Sequence, residues 1–227
     1  MPVAIVTGAS KGFGFAVAKV LVDDGWDVVI DARNEHALHA AAASLSRRVH
    51  VVPGDVTDAE HRDRLIGQAT RVGGLDLLVN NAGTLGPSPL PKVADLEPDA
   101  LSDAFRTNVA APLALIRLAL PLLEAAAGAI VNVTSDAAIE AYEGWGGYGA
   151  TKAALEQLSK VLGAEQETVR VYAFDPGDLR TEMHQAAYPG EDISDRPLPD
   201  AVAPALLCLL QTRLPSGRYR AADHLGA

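Results

Sequence analysis

Val3-Ala4-Ile5-Val6-Thr7-Gly8-Ala9-Ser10-Lys11-Gly12-Phe13-Gly14 reads as a short buried strand that runs straight into a glycine-rich turn, with an Ala/Val/Leu-rich helix beginning near residue 13. Glycines permit a tight turn and let backbone N–H groups approach a pyrophosphate, which the positive end of the following helix also favours. The spacing is Gly-x3-Gly-x-Gly, not the Gly-x-Gly-x-x-Gly of many dinucleotide folds. Gly8-Ala9-Ser10-Lys11-Gly12 also fits the Gly-x-Ser-x-Gly elbow of serine hydrolases, in the strand-turn-helix setting that elbow needs. The elbow requires an earlier strand whose loop supplies an oxyanion N–H. Here the strand is the first in the chain, so the dinucleotide reading stands.

Outward from this unit the same alternation repeats. Short apolar, β-branched runs at 3–7, 27–31, 48–52, 75–79, 129–133, 168–174 and 217–221 predict strands. Amphipathic stretches near 13–24, 35–46, 58–71, 99–126, 147–164 and 199–212 predict helices. Alternating units with continuously apolar strands imply an α/β fold: a single doubly wound parallel sheet of the Rossmann type, with helices on both faces. Ligands of such sheets bind at the carboxyl ends of the strands. No repeat or linker divides the chain, which predicts one domain over 1–227. The longest irregular stretch, 176–199, predicts a substrate lid over about 178–199.

Composition excludes several classes of function. A net charge of −10 argues against a nucleic-acid surface. No run of Lys or Arg suggests an anionic membrane, and no apolar run reads as long enough to span one. The first strand starts at Val3, which leaves no room for a signal peptide. The single cysteine, Cys208, excludes an internal disulfide. A cytoplasmic protein is expected. His36 and His39 lie on a polar helix without further ligands, so no metal site is expected.

The chemistry is read from three residues. Ser135 ends the strand GAIVNVTS, Tyr148 follows 13 residues later, and Lys152 lies four beyond that in a helical stretch. Positions i and i+4 share a helix face. An ammonium beside a phenol favours the phenolate, which predicts a lowered tyrosine pKa and a group able to exchange a proton near neutral pH.

Together these residues resemble the short-chain dehydrogenase/reductase family over nearly the whole chain. The resemblance is carried by Thr7-Gly8-x-x-x-Gly12-x-Gly14, Asp55-Val56, Asn80-Asn81-Ala82-Gly83, Asn108, Ser135, Tyr148-x-x-x-Lys152 and Pro176-Gly177-x-x-x-Thr181. It implies a nicotinamide cofactor and a catalytic set of Asn108, Ser135, Tyr148 and Lys152. Tyr148 would be the general acid in carbonyl reduction, Ser135 would polarise the carbonyl, and Lys152 would lower the tyrosine pKa and bond the nicotinamide ribose. Asp55 and Val56 would hold adenine, Thr181 would face the carboxamide, and Asn80 would abut the adenosine side. The expected cofactor contacts also include Ser10, Lys11, Phe13, Gly14, Asn81, Ala82, Gly83, Pro176 and Gly177. Pro112, four residues after Asn108, has no N–H, so the Asn108 carbonyl is expected to be free. The resemblance implies that it holds a water leading from Lys152 towards solvent.

The second strand ends Val29-Ile30-Asp31-Ala32-Arg33. An acid there would bond a ribose diol, whereas an arginine would take a 2′-phosphate. Arg33 and Lys11 favour NADP(H). NAD(H) follows instead if Asp31 points into the pocket. Ala137, Ile139, Tyr142, Trp145, Asp178, Met183, His184 and Tyr188 are the candidate substrate walls, equally readable as core or subunit contacts. They suit a small or medium carbonyl or alcohol compound. The expected activity is an NADP(H)-dependent carbonyl reductase, with an NAD-dependent alcohol dehydrogenase and a non-catalytic nucleotide-binding regulator as alternatives. A nucleotide-sugar epimerase would need a larger carboxy-terminal domain. The resemblance further implies a homodimer or homotetramer through the helices near 99–126 and 147–164.

Overall fold

A computed structural model describes residues 1–45 and 47–224. The expected end of the second helix at residue 46 and the last three positions, 225–227, lie outside the described residues. Among the described residues the chain forms strands β1 (Val3–Val6), β2 (Asp27–Ile30), β3 (Val49–Val51), β4 (Leu77–Asn80), β5 (Ala129–Val133), β6 (Arg170–Asp175) and β7 (Gly217–Arg220). The helices are α1 (Gly12–Asp23), α2 (Glu35–Ala43), α3 (Ala59–Val72), α4 (Pro98–Phe105), α5 (Ala111–Ala126), α6 (Gly146–Glu165), α7 (Glu182–Ala187) and α8 (Pro199–Thr212). The strands make one sheet in the order β3-β2-β1-β4-β5-β6-β7, and every neighbouring pair is parallel.

Strands β1, β4 and β5 are buried along their whole length because helices cover both faces. One face packs Val6, Val28, Val79 and Phe174 against Ala16, Val17 and Leu21 of α1 and Val202, Leu206 and Leu209 of α8. The other packs Ile5, Val29, Leu78 and Ile130 against Leu65 of α3 and Leu115, Ala119 and Leu123 of α5. Each such aliphatic side chain contributes about 1.5–3 kcal/mol on full burial. The strand order reverses between β1 and β4, which opens a crevice at their carboxyl ends.

The expected elements form with shifts of one to three residues, the largest at α2, which ends at Ala43 rather than 46, apart from two places. The stretch 99–126 is not one α-helix: α4 and α5 are joined by a π turn over Arg106–Ala110, where the Ala111 N–H reaches back to the Arg106 carbonyl. Pro112, which has no N–H to give, sits in the first turn of α5 just past this π turn, and π turns of this kind gather at functional sites. The whole run Pro98–Ala126, 29 residues, is also long and apolar enough by composition to cross a membrane, contrary to the sequence reading. Alanine and leucine fill both its sheet-facing stripe and much of its outer face, so composition alone gives no polar stripe to break the run. The second difference is α7, a short helix inside the stretch 176–199, which Thr181 caps by accepting the His184 N–H.

Candidate active site

A cleft of about 740 Å³ lies along the carboxyl ends of the strands, within the 300–1,000 Å³ usual for small-molecule and cofactor sites. Its floor begins at the glycine turn. Gly8 and Gly12 have φ of +67° and +60°, and a Cβ on Gly8 would lie 2.9 Å from Ala82 Cα. Thr7 ties this turn to the β4 loop: its Oγ1 accepts the Asn81 and Ala82 N–H groups at 3.0 and 2.9 Å. Asn81 returns its amide to the Thr7 carbonyl at 2.8 Å. The backbone of the turn is thereby fixed against the cleft, with no side chain at Gly8 or Gly12.

Ser10, Lys11, Phe13, Arg33, Asp55, Val56, Asn81, Ala82, Gly83, Pro176, Gly177 and Thr181 all line the cleft with Gly8 and Gly12. The ring of Phe13 is nevertheless core, stacked on Phe174 with centroids 6.0 Å apart. Gly14 does not line the cleft. It is buried under Asn81, whose amide occupies the space a Cβ would need. Asn80 is not part of the cleft lining; its amide donates to Asn132 Oδ1 at 2.8 Å and stitches β4 to β5.

Asp31 borders the cleft, but its carboxylate is buried. Its Oδ1 accepts the Gly8 N–H at 2.7 Å, its Oδ2 lies 2.9 Å from His61 Nε2, and both side chains are fully buried. Arg64 Nη2 lies 3.2 Å from His61 Nδ1. A guanidinium only donates, so Nδ1 accepts and Nε2–H donates to Asp31. Burial pushes the Asp31 carboxyl up, although the His61 and Gly8 bonds oppose that. Both carboxylate oxygens are thus committed to protein donors. Arg33 stays exposed at the cleft edge. Asp55, despite partial burial, is held below the usual carboxylate range by the Thr57 N–H and hydroxyl and by the Arg33 charge. Lys11 pairs with Glu182 of α7 across the cleft mouth, where both side chains are exposed.

At the other end of the cleft, Ser135, Tyr148 and Lys152 share one wall. Lys152 Nζ sits 5.5 Å from the Tyr148 ring centroid, as one helix face requires, and donates to the Val133 carbonyl at 2.7 Å. Ser135 donates its hydroxyl to Asp136 Oδ1 at 3.0 Å. The pKa expectation reverses: the Tyr148 phenol is pushed up, first by desolvation and then by the Asp175 and Asp136 charges. Burial also pulls Lys152 down to about 8. A partly buried phenol packed against the Trp145 ring and facing two carboxylates keeps its proton, and i,i+4 spacing alone carries no information about those neighbours.

Asn108 is buried and absent from the cleft wall. It accepts the Thr84 N–H at 2.8 Å and donates to the Thr84 carbonyl at 2.8 Å and to Thr151 Oγ1 at 2.9 Å. It therefore ties the β4 loop to α6, one residue before Lys152. Of the candidate substrate walls, Trp145, Asp178, Met183 and His184 line the cleft. Ala137, Ile139 and Tyr142 line a separate neighbouring groove. Tyr188 packs between Trp145 and His184, and Trp145 meets the Tyr148 ring edge-on at 5.7 Å. Leu85, Leu179 and Thr134, which no motif marks, also line the cleft. Among the described residues no group of three or more His, Cys, Asp or Glu is placed to hold a metal ion.

Comparison with known proteins agrees with this geometry. The family model for short chain dehydrogenases matches residues 2–192. A serine 3-dehydrogenase of Agrobacterium fabrum is 37% identical over 183 residues, 79% of this chain and 72% of that protein. A short-chain dehydrogenase structure from Shigella flexneri complexed with NADP superposes with a TM-score of 0.89, at 30% identity and 97% coverage of both chains. An alcohol dehydrogenase from Thermococcus sibiricus complexed with 5-hydroxy-NADP gives a TM-score of 0.86, at 27% identity, covering 97% of this chain and 95% of that one. With the Rossmann-type sheet, the glycine turn and the Ser135–Tyr148–Lys152 wall in place, the chain belongs to the short-chain dehydrogenase/reductase family of oxidoreductases.

Proposed function

We propose that the protein is an NADP(H)-dependent reductase of small or medium carbonyl compounds, running in reverse as an alcohol dehydrogenase. The observation that carries this reading is that Ser135, Tyr148 and Lys152 stand on the wall of the same cleft that the glycine turn floors. The glycine turn, the exposed Arg33 and the cleft-lining Lys11 suit a dinucleotide carrying an extra phosphate, and the relatives solved with NADP and 5-hydroxy-NADP support that choice. Asp31 supports it too, since its carboxylate is buried against Gly8 and His61, away from a ribose diol.

The backbone of residues 8–13, with Lys11 and Arg33, would hold the phosphates. Asp55 and Val56 would hold adenine, and the loops at 81–83 and 176–181 would border the nicotinamide half. When bound, the cofactor supplies the hydride. The chain's own residues handle the proton. Tyr148 keeps its proton in the free protein and donates it to the substrate oxygen, while Ser135 swings from Asp136 to hydrogen-bond that oxygen. Lys152 stabilises the phenolate left behind. Asn108 acts from behind the wall by fixing Thr151 and the β4 loop, and its own carbonyl, inside the π turn, would receive the relay water. The segment 178–199, with α7, would close over the substrate. Exposed Leu113 and Leu118 on α5 and Leu158 and Val161 on α6 support assembly as a homodimer or homotetramer. The cytoplasm, where NADP(H) and a free thiol both persist, is the fitting compartment.

A panel of ketones, aldehydes and quinones, assayed by NADPH and NADH absorbance, tests this. Turnover with NADPH preferred over NADH is expected. Tight binding of either nucleotide without turnover of any of them would favour the regulator reading.

A further inference from the structure

We propose that Arg218, on the last strand, is a positioning residue that sets the charge behind the Ser135–Tyr148–Lys152 wall. The inference rests on the assignment of Tyr148 as proton donor. Arg218 lies outside every motif and outside the cleft lining. Its Nη2 donates to Asp175 Oδ2 at 2.8 Å, and its Nε donates to Glu156 Oε1 at 2.9 Å. The same Nη2 points towards the Ser135 carbonyl at 3.5 Å, and Glu156 Oε1 also accepts the Thr134 hydroxyl at 2.7 Å. One guanidinium thus joins β7 to the end of β5, the end of β6 and the middle of α6. Planar, forked and permanently charged, it suits two carboxylates at once in a way a lysine does not.

The two carboxylates differ in what they touch. Asp175, almost fully buried, is the strongest charge acting on the Tyr148 phenol, and it disfavours the phenolate. Glu156, one helical turn after Lys152, favours the lysine's ammonium form. The other groups facing Tyr148 are Lys152 on its own helix, Asp136 after β5, and the cleft-lining His184 and Asp178. Arg218 is the cation that offsets Asp175 without entering the cleft. Losing it leaves the buried Asp175 carboxylate with only the Gly177 N–H, 2.9 Å from Oδ1, to hold its charge, so phenolate formation moves to higher pH. Neutralising Asp175 instead moves it to lower pH. Glu156, freed of the same guanidinium when Arg218 is lost, favours the lysine's ammonium and so offsets part of the alkaline shift, while Asp175, which acts on the phenol directly, sets its sign.

The test is the pH profile of kcat/KM for alcohol oxidation, which rises as Tyr148 loses its proton. Arg218→Gln should shift the rising limb alkaline by about one unit, and Asp175→Asn should shift it acid by a similar amount. The double variant should return close to the parent, and Arg218→Lys should restore part of the shift. Opposite signs from two partners of one ion pair are not what loss of a structural tie produces. If both single variants move the limb the same way, or neither moves it, the proposal is overturned. Should Arg218→Gln fail to fold, Arg218→Lys decides: a smaller alkaline shift of the limb supports the role and an unmoved limb refutes it. Full turnover by Tyr148→Phe would instead overturn the assignment of the tyrosine.

Discussion

Gly14→Ala tests the glycine turn where geometry gives a magnitude. The new Cβ would land on the Asn81 amide nitrogen, a side-chain end tied down by hydrogen bonds, and 2.6 Å from the Gly8 carbonyl oxygen, which is backbone. Asn81 must swing away, losing its bonds to the Thr7 carbonyl at 2.8 Å and the Gly8 carbonyl at 3.3 Å. Two such bonds contribute about 2 kcal/mol together, and overpacking adds about 1–3 kcal/mol. Position 14 is inside α1, so alanine recovers up to about 1 kcal/mol of helix propensity. The net cost is about 2–4 kcal/mol, or a fall in Tm of about 5–15 °C for a chain of this size. Gly67→Ala is the control. It lies in α3 with only Arg71 Nη1 at 3.9 Å, so it should hold or slightly raise Tm. Thermal unfolding by circular dichroism reads the stability, and nucleotide fluorescence reads NADPH binding, which should weaken with the loss of the Asn81 tie. If Gly14→Ala behaves like Gly67→Ala in both measurements, the close approach of turn and β4 loop is not what holds the site.

Two further outcomes are expected. Arg33→Ala should raise KM for NADPH about tenfold, the value of one exposed charge-assisted contact, and leave KM for NADH unchanged; equal effects on both would remove Arg33 from the phosphate subsite. Carbonyl reduction should be level at acid pH, because Tyr148 holds its proton there, and should fall as pH rises through about 8. The sign follows from Lys152: its pKa lies below the ordinary 10.5, so the ammonium that supports the departing phenolate is present below about 8 and lost above it. A reductive profile that instead rises through this range would contradict the roles given to the pair.

The sheet and the reactive wall were legible because their signals are local. Continuous apolar strands before helical periods give the parallel sheet, and Tyr148 and Lys152 share a face by i,i+4 geometry alone. What stayed hidden depends on distant pairs. Asp31 was ambiguous until His61, 30 residues on, took its second oxygen. Arg218 meets Glu156 and Asp175 across 62 and 43 residues and carries no motif. The direction of the tyrosine shift was also hidden, since spacing reports proximity to Lys152 but not the burial that outweighs it. Helix α7 was missed because six residues give too little periodicity to separate a helix from a loop.

The central claim is that Tyr148 passes the proton while the cleft holds NADP(H). Its most direct test is Tyr148→Phe, assayed for NADPH-dependent turnover and for NADPH binding on the same preparation. The account predicts a loss of turnover of about a hundredfold to ten-thousandfold with nucleotide affinity and Tm retained. Parental turnover in the phenylalanine variant would contradict it.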